Sequence, residues 1–268
     1  MIPQYASALL ISDLHLTPSM PLTAQRFFDF CEKDAPKVEA VFILGDLFEY
    51  WVGDDAALHS PFQQEVKHAL ATLSTKVKTY YLHGNRDFLV GKHFLSKTGM
   101  TLLADPSKIN VAGSEYVLCH GDSLCTADIG CTADIGYQVF RGWVRKPWIQ
   151  KLFLRLPLNW RRSIANQLRS NSGVQYQRAM NSAVDGAQAK TDVTLAACAA
   201  VLRDQAGNQL IHGHTHLPKH HEEHLIDQTW QRWVLSDWDL DHPESGRPRA
   251  SALLINQNGV HYADLIKA

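Results

Sequence analysis

Along the chain, short apolar runs alternate with segments whose apolar residues recur every three or four positions. ALLIS (8–12), VEAVFIL (38–44), KTYYLH (78–83), YVLCH (116–120) and QLIHG (209–213) are apolar runs bounded by turn residues. That is the pattern of strands buried on both faces. Between them, Phe27, Phe28 and Cys31, and then Phe62, Val66, Ala69, Leu70 and Leu73, fall at helical spacing. Strands alternating with helices predict an α/β fold of stacked layers. Polar residues gather just past the C-terminal end of each strand, where open α/β sheets place their sites.

Residues 137–172 break this alternation. They contain no strand signal, and Pro147 and Pro157 divide them into short helices. Trp143, Trp148, Leu152, Phe153, Leu154, Leu156, Leu158 and Trp160 supply an apolar face with Arg and Lys between them. The prediction is one domain over 1–268, with 137–172 as a helical cap inserted into it.

Composition narrows the partners. The 268 residues carry a formal net charge of −1, so no global basic field points to nucleic acid. Charge is nevertheless uneven: Arg141, Arg145, Lys146, Lys151, Arg155, Arg161, Arg162 and Arg169 lie in a stretch without Asp or Glu. Such local basicity points to an anionic partner. Five cysteines, an odd number, fit a reducing compartment. MIPQYASALLISD has no basic n-region and reads as a first strand. No apolar run approaches the ~20 residues of a membrane span. A cytoplasmic protein, with the option of lying on a membrane surface, is expected; nothing indicates an oligomer.

The candidate chemistry lies at the five strand ends. In order they supply Asp13 and His15; Asp46 and Glu49; Asn85, Arg86 and Asp87; His120 and Asp122; and His212, His214 and His216. Alternation places Asp13 with His15, and His214 with His216, on common faces. Mixed Asp, Asn and His ligands suit Mn²⁺, Fe²⁺ or Zn²⁺ more than Mg²⁺ or Ca²⁺. Seven ligands exceed one ion and suit two, ~3.5–4 Å apart, sharing a carboxylate and activating a hydroxide between them.

The ordered set DLH, GDLFE, GNRD, HGD and GHTH resembles the calcineurin-like metallophosphoesterase superfamily. The resemblance implies a two-sheet β-sandwich flanked by helices. It implies one ion on Asp13, His15, Asp46 and His216, and a second on Asp46, Asn85, His120 and His214, with Asp46 as the bridge. Many members place a His after the motif Asn to protonate an alkoxide. Here Arg86 stands there, and an arginine does not give up a proton at neutral pH. A good leaving group is then required, which favours diphosphate over monoester hydrolysis. Arg86 is suited to holding the phosphates by charge-assisted hydrogen bonds.

Longer strings (GDLFEYWVGDD, HGNRDFLVGK, MTLL, HGDSLCT, YQVFR, KPWIQKLFLRLPL, RSNS and IHGHTHLP) resemble the UDP-2,3-diacylglucosamine pyrophosphohydrolases of the LpxH type, over about Leu9 to Trp238. That resemblance implies two Mn²⁺ ions, attack at the α-phosphate, and release of UMP and 2,3-diacylglucosamine 1-phosphate (lipid X) in lipid A biosynthesis. It implies an acylated UDP-sugar substrate and a place on the anionic cytoplasmic face of the inner membrane. Asp46, Asn85, Arg86 and His120 become the expected catalytic residues. Asn85, Arg86, Tyr137, Ser172 and His214 become expected substrate contacts. After Ser172 the family supplies a polar residue four positions on and a Lys seven on; here these are Tyr176 and Ala179, leaving Arg178 or Lys190 as the substitute. Another nucleotide-diphosphate hydrolase of the superfamily is the alternative; a non-catalytic scaffold would be expected to have lost ligands.

Two features stand outside this reading. CTADIG occurs twice in succession, as Cys125–Gly130 and Cys131–Gly136. Six residues inserted inside a helix would rotate its following face by about 240° and advance it ~9 Å, so a loop or added helical turns are expected to absorb the extra copy. The family's contacting Asp is then Asp128 or Asp134, the latter if the helix leading to Tyr137 sets position. His220, His221 and His224 extend the histidine run and read as a solvated loop; the C-terminal stretch reads as a hairpin.

Overall fold

The computed structural model describes residues 4–125, 139–168, 192–225, 228–242 and 246–266. Two six-stranded mixed sheets lie face to face and are flanked by helices, as the sequence implied. The first sheet contains β2 (Ala8–Ile11), β3 (Ala40–Ile43), β4 (Lys78–Tyr81) and β5 (Thr101–Leu102) in parallel, with β11 (Ser251–Asn256) and β12 (Gly259–Asp264) antiparallel on the other side. The second has the order β1 (Gln4–Tyr5), β6 (Ser107–Val111), β7 (Ser114–Cys119), β8 (Gln209–His212), β10 (Gln228–Val234) and β9 (Lys219–Leu225).

Alternation along the strands builds the layers. Leu9, Ile11, Val41 and Ile43 pack against helices α1 (Pro21–Asp29), α3 (Pro61–Ser74) and α4 (Lys92–Thr98). Their neighbours Ala8, Leu10, Ala40 and Phe42 meet Tyr116, Leu118, Ile211 and Trp233 of the other sheet. Val117, Cys119 and Leu210 then cover Cys198, Ala199 and Leu202 of a further helix, Leu195–Asp204. Strands buried on both sides explain why the sequence showed unbroken apolar runs rather than alternation. Asp54–Ala57 adds the short helix α2.

The helical reading of 137–172 holds where it is described: 139–144, Pro147–Leu154 (α5) and 158–168 are helical. The C-terminal hairpin is present as β11–β12. His220, His221 and His224 do not lie in a loop, although His220 and His224 are exposed as expected. They lie on β9, a full antiparallel partner of β10, with His220 stacked on Trp233 at 4.7 Å. KHHEEHL has no apolar run because an edge strand with an open face does not need one. Beyond Cys125, the CTADIG repeat lies outside the described residues.

Candidate metal centre

The ligand-bearing turns meet at one end of the sandwich because β2, β3 and β4 run parallel in one sheet and β7 and β8 run parallel in the other. Backbone hydrogen bonds lock the turns together. Asp13 N donates to Gly45 O at 3.2 Å, His15 N to Asp46 O at 3.0 Å, and Gly213 N to His120 O at 2.8 Å. The two sheets are joined at the site itself, where His120 Nδ1 contacts Leu44 O at 2.8 Å.

Asp13, His15, Asp46, His214 and His216 all have positive φ, between 48° and 69°. None is glycine, and such a conformation costs of order 1–3 kcal/mol each. Five strained residues at one place indicate that side-chain placement there outweighs backbone comfort. Two glycines make room: a Cβ on Gly84 would collide with the Asp46 carboxylate, and one on Gly213 with Ser12 and Asp13.

Ligand atoms of Asp13, His15 and His216 lie within 4.8 Å of one another, as do those of Asp13, Asp46 and His120. Asn85 Oδ1 sits 2.8 Å from His120 Nε2 and 3.0 Å from His214 Nδ1, which completes the set of seven. Asp13 is common to both close groups.

The donor atoms fit cations. Two carboxylates, Asp13 and Asp46, are buried side by side. Asp13 Oδ1 is buried without a hydrogen-bond partner, with His216 Nε2 at 3.4 Å. His15 Nε2 and His216 Nε2 converge to 3.5 Å. Burial pushes the Asp46 carboxyl up, opposed by the nearby His120 charge. Burial also works against the His120 imidazolium, yet the Asp46, Asp13 and Asp122 charges outweigh it and raise His120 to about 9. Burial and the neighbouring His120 push His214 down to about 3. The three carboxylates that raise His120 mark a locally negative site that favours positive charge, while burial keeps His214 a neutral imidazole able to act as a ligand.

Arg86 enters the same cluster. Its backbone N donates to Asp46 Oδ1 at 2.9 Å, and its guanidinium pairs with Glu49 Oε1 at 3.0 Å, with Nε 3.9 Å from Asp46 Oδ2. Tyr137, Ser172, Lys190, Asp128 and Asp134, the other expected substrate contacts, lie outside the described residues.

Several residues that order the site were not singled out as ligands or contacts by sequence. Asp87, fully buried, accepts from Gly84 N, Asp46 N, Leu47 N and Phe48 N at 2.8–3.3 Å, so one carboxylate holds two ligand turns. Asp237 lies 3.7 Å from His216 Nδ1 and is held by Arg249 at 2.6 and 2.9 Å. Asp122 accepts from Arg141 Nε at 2.7 Å and Arg145 Nη2 at 3.3 Å. Burial acts to raise its pKa, but His120 and the two arginines hold it well below the usual carboxylate range. These pairs correct one expectation: Arg141, Arg145 and Arg161 do not all face an external anion, since Arg141 and Arg145 pair with the buried Asp122 and Arg161 pairs with the more exposed Asp55. Sequence displays the charge and conceals the partner.

Converging carboxylates, imidazoles and an amide oxygen at the strand ends of an αββα sandwich define a metal-dependent phosphoesterase. A calcineurin-like phosphoesterase family model matches residues 7–218. A UDP-2,3-diacylglucosamine hydrolase of Ralstonia nicotianae is 44% identical over 263 residues, covering 96% of this chain and 92% of that protein. A protein of the same name from Aeromonas salmonicida is 43% identical, covering 87% and 86%. Among solved structures, wild-type Vps29 of Entamoeba histolytica covers 97% of this chain and 99% of its own at 15% identity and a TM-score of 0.44. The chain belongs to the calcineurin-like phosphoesterase family, in the branch of the UDP-2,3-diacylglucosamine hydrolases.

Proposed function

We propose that this chain hydrolyses the diphosphate of UDP-2,3-diacylglucosamine to UMP and 2,3-diacylglucosamine 1-phosphate, a step of lipid A biosynthesis. The observation that carries the reading is Arg86 in the ligand cluster, beside Asp46 and Glu49. A guanidinium holds phosphates and donates no proton, so the bond broken must release a group that leaves unprotonated, as a phosphate does. The near full-length identity to hydrolases of this name supports the lipid substrate.

Asp13, His15, Asp46 and His216 would hold one divalent ion and Asp46, Asn85, His120 and His214 a second, both Mn²⁺ on this reading. Bound ions would supply charge neutralisation of the phosphoryl oxygens and an acidified water. The chain's own contribution is placement. Asp87 and the strained ligand turns fix the donor atoms before substrate arrives, which is the preorganisation that electrostatic catalysis needs. Arg86 orients the diphosphate for in-line displacement, in which water oxygen bonds to the α-phosphorus and the bridging oxygen leaves with the β-phosphate. Hydrolysis in ¹⁸O-water tests this: label must enter UMP. Label in the sugar 1-phosphate places attack on the β-phosphorus and overturns the assignment.

The segment 137–172 acts as a cap on this reading, and its outer surface meets an anionic membrane. Trp143, Trp148, Leu152 and Trp160 are exposed beside exposed Lys146, Lys151, Arg155 and Arg162. Apolar and basic groups together suit an interfacial position. No helix among the described residues is long and apolar enough to cross a membrane.

A further inference from the structure

Among the described residues, no apolar side chain of the helical segment 139–168 is fully buried against the core. No residue of α5 is buried, and Trp143, Trp148, Leu152 and Trp160 are more than half exposed. Among the described residues of this segment the one buried side chain is a charged one, Arg161, at 3% exposure. Its Nη1 donates to Val52 O at 2.5 Å and to Asp55 Oδ1 at 2.8 Å; its Nη2 pairs with Asp55 Oδ2; its Nε donates to Leu156 O at 3.0 Å.

The seat is shaped for this guanidinium. Gly53 has φ +126°, and a Cβ there would stand 2.5 Å from Arg161 Nη1 and 2.8 Å from Leu154 Cδ2. A planar fork of donors on one carboxylate is a geometry that lysine does not reproduce.

The chain from Asp46 leads through Glu49 directly to Val52 and Asp55. A second attachment lies on the other side. Arg141 reaches Asp105 at 3.1 Å and Asp122 at 2.7 Å, and Arg145 donates to Gly84 O at 3.0 Å. Arginines of the helical segment therefore grip the turns that carry Asn85 and His120 and the stretch from Val52 to Asp55 that follows the Asp46 turn. A crevice lined by Asn85, Phe88, Phe140, Arg141, Val144 and Arg145 opens beside the ligands.

We propose that Arg161 is a positioning residue: its clasp on Asp55 seats the helical segment over the ligand turns and so sets how tightly the large acylated substrate is held. It takes no part at the phosphorus. This rests on the substrate reading above and adds to it the residue that fixes the wall of the substrate site.

The test compares parent, Arg161→Ala, Arg161→Lys and Asp55→Asn on two substrates, UDP-2,3-diacylglucosamine and bis(4-nitrophenyl) phosphate, with bound metal and melting temperature measured alongside. Arg161→Ala is expected to raise KM for the diacylated substrate by ~10-fold, the effect of losing about one charged hydrogen bond. Its kcat on the small diester should stay within about twofold, and metal content should match the parent. Arg161→Lys should recover part of the KM change. Asp55→Asn, at a more than half-exposed side chain, should shift KM in the same direction and serves where Arg161→Ala fails to fold. A parent active on the diacylated substrate with variants unchanged in KM overturns the clasp alone, as does a parallel loss on both substrates. A parent that cleaves the small diester but not the diacylated substrate overturns the substrate reading, and the clasp's role falls with it.

Discussion

His120 Nε2 lies 2.8 Å from Asn85 Oδ1, across the seam between the two sheets. His120 follows β7 of one sheet and Asn85 follows β4 of the other, so this end of the sandwich exists as a site only when both sheets are docked. Asn85→Ala removes an amide oxygen that also faces His214 at 3.0 Å. The expected result is loss of at least ~100-fold in kcat with the fold retained. Circular dichroism and a diphosphatase assay on the same sample check it.

Buried Asp13 and Asp46 repel each other when no cation lies between them. Stripping divalent ions should lower the melting temperature, and returning Mn²⁺ should restore it. At a metal concentration about 100 times Kd the stabilisation is ~2.7 kcal/mol, or roughly 5–10 °C for a chain of this size. In Asp13→Asn, which removes one of the two charges, the shift on adding metal should shrink sharply. An unchanged shift would place the bound ion elsewhere.

His212 is buried on β8 and gives an acid-side signature. Its Nδ1 donates to Gly213 O at 2.8 Å, while Arg232 Nη1 donates to its Nε2 at 3.3 Å. Burial pushes its pKa down to about 4; the Gly213 carbonyl opposes this and Arg232 reinforces it. The ordinary value is 6.5, so between pH 6.5 and 4 the unfolded chain binds the proton and the folded chain does not. This contribution is therefore complete above pH 6.5 and is lost as pH falls toward 4. It amounts to ~3 kcal/mol. Urea unfolding of parent and His212→Asn across that window should show a shallower pH slope in the variant. Equal slopes would remove His212 as the source.

Asp87 ties the Gly84 and Asp46–Phe48 turns together through four backbone donors. Asp87→Ala would strand those buried N–H groups. A loss of about 3–5 kcal/mol in stability is expected, with metal affinity falling in parallel. Isothermal titration with Mn²⁺ and denaturant unfolding read the two effects separately.

The strands that carry ligands were legible because most are buried on both faces and so are written as apolar runs with Asp, Asn or His just beyond. The edge and half-exposed strands were not. Lys219–Leu225 holds one apolar residue and Gln228–Val234 shows neither an apolar run nor strict alternation, although the two pair with each other as a hairpin. The seven expected ligands also lie together at one end of the sandwich. What sequence did not give was pairing at long range: Arg161 sits 106 positions from Asp55, and its charge alone resembled that of its solvent-facing neighbours. The same limit hid the role of Asp87, present in the GNRD motif but without a visible partner.

The proposed enzyme is a diphosphatase built for an acylated nucleotide sugar. Its most direct test is the ratio of kcat/KM for UDP-2,3-diacylglucosamine to that for unacylated UDP-glucosamine, with Mn²⁺ and purified chain. The expected ratio is at least ~100, since burying even a few methylenes at about 0.8 kcal/mol each exceeds that preference. Equal rates on the two substrates would contradict the account.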